Sequence, residues 1–190
     1  EYDFTGATVP DGGPTATYLG IVSQWRNGNG GRVYGAEASL SLPFATFTSA
    51  LDGFGLLASG SYTKSRVTEG NAAPISMPGL SRWVVNSTAY FEKAGFQARV
   101  SYRYRSKFLG EVAGLSANPD FRLAKGESIV DAQIGYEFQE GTALQGLSVL
   151  LQAKNLTDRP FITYANSDPR QVIDYQRYGR DYYIGLSYKF

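Results

Sequence analysis

The sequence predicts an all-β fold, an antiparallel transmembrane β-barrel sheet, on three observations. Seven segments alternate apolar and polar side chains with a period of two, the mark of a strand with one apolar face. The connections between them differ systematically in length. The last segment, Tyr178 to Phe190, places Tyr182, Ile184, Leu186, Tyr188 and Phe190 on one face and Asp181, Tyr183, Gly185, Ser187 and Lys189 on the other. Aromatic weight sits at both ends of that apolar stripe. It reads as the closing strand of an outer-membrane barrel, with aromatics at the lipid–water boundary. Taken alone, the segment also fits the last strand of a soluble sandwich.

Composition narrows the classes. The 14 Tyr, 11 Phe and 22 Gly among 190 residues suit strands joined by many turns. With neither Cys nor His, there is no disulfide framework, no serine–histidine or cysteine–histidine catalysis and no zinc site of the usual ligands. A carboxylate-only site stays open. The net charge of +1, without a basic block, gives no sign of nucleic acid. No run approaches the roughly 18 apolar residues of a membrane helix. The mean hydropathy of −0.25 does not decide the matter, because half of each barrel strand faces a polar lumen. The chain opens on Glu1 with no leader pattern, so either a signal was removed or the chain is a piece of something longer.

Residues 1–30 mix Gly, Pro and Asp at loop density, ending in Asn27-Gly28-Asn29-Gly30, and are expected to be an external loop carrying a short hairpin arm near Thr17 to Trp25. Strands follow. Tyr34, Ala36, Ala38, Leu40 and Leu42 form one apolar face; Phe54, Leu56, Ala58 and Tyr62 form the next; Arg82 to Phe91 is a third, less cleanly patterned strand. After the tight turn Glu92-Lys93-Ala94-Gly95, Phe96, Ala98, Val100, Tyr102 and Tyr104 oppose Gln97, Arg99, Ser101, Arg103 and Arg105. Val130, Ala132, Ile134, Tyr136 and Phe138 mark the fifth strand, Leu147 to Asn155 the sixth, and Tyr178 to Phe190 the last. The turns at 92–95 and 139–146 are short and that at 43–53 is intermediate, whereas 66–80, 106–127 and 156–177 are long. Short periplasmic turns and long external loops are the barrel rhythm, and a sandwich has no reason to sort its loops by side.

Four motifs in order carry a family likeness: Gly30-Gly31 with Tyr34-Gly35-Ala36-Glu37, Pro78-Gly79-Leu80-Ser81, Arg99 to Ser106, and Asn155-Leu156-Thr157-Asp158-Arg159-Pro160-Phe161 followed by Tyr178-Gly179-Arg180 and the Phe-terminated strand. From about Gly30 to Phe190 the chain resembles the C-terminal barrel segment of TonB-dependent outer-membrane receptors, in the version common in Xanthomonas- and Caulobacter-type bacteria. The resemblance implies about 7–8 strands of a larger barrel of about 22. It implies a bacterial outer-membrane location and active uptake of a scarce nutrient, a carbohydrate first and a siderophore second. Implied partners are the TonB complex through an N-terminal plug region, the barrel-assembly machinery, outer-membrane lipid and the small-molecule nutrient; no cofactor or metal is implied. The strand ending Tyr182, Ile184, Leu186, Tyr188, Phe190 would be the signal that the assembly machinery reads.

Two groups are candidate ligand contacts. Arg99, Arg103 and Arg105 share the non-lipid face of one strand. A lipid-side charge costs about 2–4 kcal/mol at mid-bilayer, so they must look into the lumen. There they either guide a ligand or pair with Asp131, Glu137 and plug carboxylates. In the loop 156–177, Arg159, Phe161, Tyr164, Asn166, Asp168, Arg170, Asp174 and Tyr175 combine ring faces with polar groups, as sugar recognition requires, unless the loop simply packs on itself. The sequons at Asn86 and Asn155 carry little meaning in such a protein. An alternative architecture is a self-contained eight-stranded barrel with a structural or adhesion role, closed by a strand near 16–26. An outer-membrane hydrolase lacks a catalytic constellation.

Overall fold

The computed structural model describes residues 2–3, 19–20, 30–68, 73–113 and 120–189. Tyr2–Asp3 (β1) and Leu19–Gly20 (β2) pair antiparallel. The rest of the expected arm at 1–30, including most of Thr17 to Trp25, lies outside the described residues, as does Phe190.

A seven-stranded antiparallel wall follows: Gly31–Pro43 (β3), Phe54–Val67 (β4), Trp83–Lys93 (β5) and Phe96–Arg105 (β6) come first. Two hairpins interrupt the sequence of wall strands. Phe108–Ala113 (β7) and Asp120–Ala124 (β8) precede Glu127–Glu137 (β9) and Leu147–Lys154 (β10). Phe161–Ala165 (β11) and Val172–Gln176 (β12) precede Asp181–Tyr188 (β13). The wall order is β13-β10-β9-β6-β5-β4-β3, and the hairpins form a second sheet in the order β12-β11-β8-β7. Each strand of the second sheet directly precedes or follows, in the chain, the wall strand in the corresponding place. The second sheet therefore continues the wall on the side of the long connections.

All seven expected strands are present. The two longest connections are corrected: 106–127 and 156–177 are not plain loops but carry β7, β8, β11 and β12. The last strand starts at Asp181 rather than Tyr178, because Gly179 takes a left-handed φ of 82° and turns the chain there.

Register settles the two faces. Cα partners share a face of the sheet, and one row runs Leu42↔Leu56↔Ala89↔Val100↔Ala132↔Ala153↔Tyr182. A parallel row links Phe54↔Phe91↔Ala98↔Ile134↔Leu151↔Ile184. One face is thus apolar across every wall strand, and it is bare: Tyr182, Ile184 and Leu186 are 70–72% exposed. In water so continuous a patch would drive association; in a bilayer it meets lipid. Phe54 packs on Phe91 at 4.4 Å at the short-turn end, and Tyr62 packs on Trp83 at 4.7 Å at the other, giving two aromatic belts. Phe54 to Tyr62 covers roughly 27 Å of strand, or roughly 20 Å of membrane height at barrel tilt.

The short-turn end is tightly made. Ala94 and Gly95 both have positive φ, 51° and 80°, the two-residue turn that matches the strands' twist. At Gly55 a side chain would run into the ring of Tyr90, its cross-strand partner, which covers the bare backbone. Among the described residues the buried hydrophobics are Leu109, Ala124 and Tyr164, all in the second sheet. The wall has no core of its own. The sheet is also open: β3 pairs only with β4, and β13 only with β10, among the described residues.

Candidate functional site

The polar face of the wall carries the candidate lumen groups. Arg99, Arg103 and Arg105 lie on it together, as alternation requires, but they are engaged differently. Arg99 donates to Glu92 Oε1 from Nε at 2.9 Å. Arg103 Nη2 reaches Asp131 Oδ2 at 3.3 Å. Arg105 donates to Ser81 Oγ at 2.6 Å and to the Gly79 carbonyl at 2.7 Å, with its guanidinium 3.7 Å from the Phe108 ring centroid. Glu137, expected as a partner for these arginines, instead meets Lys189 at 3.5 Å. Beside this row Thr88 and Ser101 share a hydrogen bond at 2.9 Å, and Gln152 donates to Gln133 at 3.4 Å. A groove of about 450 Å³ is bounded on this side by Asn86, Arg103, Asp131, Gln133, Gln152 and Lys154. Its arginines are paired, Lys154 lies with its ammonium 5.0 Å from the Tyr183 ring centroid, and the remaining hydrogen-bonding groups are largely amides.

The eight residues of 156–177 do not gather into one pocket. Tyr164 is buried in the second sheet. Asp174 accepts from Thr163 Oγ1 at 2.6 Å, while Arg122 bridges Asp174 and Glu111 at 3.8 and 3.7 Å. Arg159 donates to the Gly126 carbonyl at 3.1 Å. Asn166 accepts from the Phe121 amide at 3.1 Å, capping β8. Arg170 clasps Asp168 across a turn, holding that carboxyl below the usual carboxylate range. Phe161 and Tyr175 remain open to solvent. They sit one residue pair apart in register, Phe161 opposite Gln176 and Tyr175 opposite Ile162, and so on opposite faces of their hairpin.

The feature that sequence reasoning missed is the bend between wall and second sheet. Asn155, at φ 53°, receives a hydrogen bond on Oδ1 from the Arg159 amide at 2.8 Å and donates from Nδ2 to the carbonyls of Gly179 at 2.8 Å and Arg159 at 3.2 Å. Its own amide donates to Asp131 Oδ1 at 2.8 Å. Thr157 donates to the Ser128 carbonyl at 3.0 Å, and Arg180 to that of Leu156 at 2.9 Å. Arg177 pairs with Asp158, and that hydrogen bond holds the Asp158 carboxyl below the usual range. The signal was present in Asn155-Leu156-Thr157-Asp158-Arg159-Pro160, where Asn and Asp tolerate left-handed backbone and Pro ends the strand ladder.

Tyr182, Ile184, Leu186 and Tyr188 line the exposed apolar stripe of the edge strand β13. Among the described residues no three carboxylates come together as a metal site would require. The architecture defines an outer-membrane type of β-barrel wall. The model of the TonB-dependent receptor-like β-barrel family matches residues 2–156, and the chain belongs to that family, one of outer-membrane transporters rather than enzymes. No curated protein and no solved structure matches the chain.

Proposed function

We propose that this chain forms part of the barrel of an active transporter in the bacterial outer membrane that takes up a carbohydrate, with a siderophore as the second candidate. The observation that carries the substrate class is the groove of the polar face. Asn86, Gln133 and Gln152 each offer both donor and acceptor, suited to adjacent hydroxyls, and Tyr183, the Cα partner of Gln152, offers a ring on the same face. Arg103 is already paired with Asp131, which lowers the pull on an anionic chelate. Energy comes from the TonB complex acting through a plug region, and the apolar stripe of β13 serves the barrel-assembly machinery. The likeness to receptors of Xanthomonas- and Caulobacter-type bacteria supports the carbohydrate over the chelate.

The test is calorimetric titration of the purified protein with a panel of oligosaccharides and ferric siderophores. Saccharide binding that weakens roughly tenfold in Gln133→Ala/Gln152→Ala is expected, each lost hydrogen bond removing about 0.5–1.5 kcal/mol. Binding of a ferric chelate, with every saccharide silent, would overturn the carbohydrate reading.

A further inference from the structure

The membrane face of the wall is charged at one end. Within the wall strands every carboxylate (Glu37, Glu92, Glu127, Asp131, Glu137 and Asp181) lies on the polar face by register. Four cations lie on the apolar face. Lys93, at the short-turn end, is neutralised by Asp52 at 3.1 Å. The other three, Arg32, Lys64 and Arg66, cluster at the opposite end, just beyond the Tyr62–Trp83 pair. Arg32 is the Cα partner of Arg66, and Lys64 is the partner of Tyr34, with its ammonium 5.9 Å from that ring's centroid. Like charges directly opposite on one face repel. None of the three is within ion-pair distance of a carboxylate among the described residues. A groove of about 740 Å³ opens beside them and takes in Lys64, Arg66, Trp83 and Tyr104, with no carboxylate in its walls.

A row of uncompensated cations at the level where lipid headgroups lie needs an anion from outside the protein, and guanidinium groups match phosphate oxygens in pairs. We propose that Arg32, Lys64 and Arg66 bind the phosphate groups of an outer-leaflet glycolipid. The site rests on the reading of the apolar face as lipid-facing. Its position on that face, rather than in the lumen, selects a lipid headgroup over a soluble phosphate.

The test uses folded protein purified from outer membranes in mild detergent and titrated with bisphosphorylated lipid A, with the same lipid dephosphorylated, and with inorganic phosphate. Arg32→Gln/Lys64→Gln/Arg66→Gln should weaken the bisphosphorylated lipid roughly tenfold to a hundredfold, and Arg66→Gln alone by roughly fivefold. Arg32→Lys/Arg66→Lys should keep most of the affinity, and the dephosphorylated lipid should not distinguish the proteins. Equal affinity in wild type and the folded Arg66→Gln variant would overturn the site. So would displacement of the lipid by inorganic phosphate at comparable concentration, which would make it a soluble-anion site. A nitroxide at Leu40→Cys in reconstituted protein separates the two readings. Oxygen-accessible, water-protected label with unchanged lipid affinity rejects the headgroup site alone, whereas a water-exposed label rejects the membrane face and the site with it.

Discussion

The Asn155 side-chain amide donates to the Gly179 carbonyl at 2.8 Å, tying the end of β10 to the turn that feeds β13. The wall strands are thereby interrupted at one level, and the second sheet starts above it. Removing the side chain while keeping the backbone free to adopt φ 53° isolates this role. Asn155→Gly should loosen residues 159–180 in hydrogen exchange while β6 and β9 stay protected, with a cost of about 1–3 kcal/mol for the lost hydrogen bonds. Uniform loss of protection across β6 and β9 would show that the bend holds the wall itself.

The wall was legible because the bilayer enforces its pattern. Leu151 cannot slip one place without presenting Gln152 to lipid, so alternation persists through every wall strand. The third strand, Trp83–Lys93, was the least clean because Ser87 sits on the apolar face opposite Ala58 and Tyr102. The second sheet was illegible for the opposite reason. Phe161–Ala165 is five residues long with Thr163 and Tyr164, neighbours on opposite faces, both buried. A strand buried on both sides has no period to read, and the bulge at Thr163/Tyr164 disrupts what remains. The candidate loop residues shared a segment but not a face, a distinction that only strand pairing supplies.

Ala94 sits at φ 51° in the turn between β5 and β6, a conformation that an L-residue with a Cβ adopts at a cost of about 1 kcal/mol. Ala94→Asn should therefore stabilise the folded protein by roughly 0.5–1 kcal/mol. The measurement is the urea midpoint of folding into lipid vesicles. A lower midpoint would mean that the Ala94 methyl makes a contact the turn depends on.

Asp158 is held below the usual carboxylate range chiefly by its hydrogen bond to Arg177. A carboxyl depressed in the folded state adds stability above its unfolded pKa and loses it as pH falls through the folded value. The bend should keep its hydrogen-exchange protection, corrected for intrinsic rates, from about pH 8 to about pH 5 and lose it progressively below about pH 4. Asp158→Asn should flatten that profile at residues 177–180. An acid step of equal size in the variant would assign the titration to another carboxylate.

Leu151 and Gln152 are chain neighbours on opposite faces, which makes them a matched probe of which side meets lipid. Leu151 lies between Ile134 and Ile184 near the middle of the apolar face, whereas Gln152 lies between Gln133 and Tyr183 on the polar face. An arginine at the bilayer midplane costs about 2–4 kcal/mol, while the same residue in a polar lumen is hydrated or paired. Leu151→Arg should make the free energy of folding into lipid vesicles less favourable by that amount, and Gln152→Arg should leave it nearly unchanged. The contrast is diagnostic because both changes add the same charge to the same strand, so propensity and net-charge effects cancel between them. Equal costs would mean that both faces see one solvent, and the reversed order would put the polar face toward the bilayer.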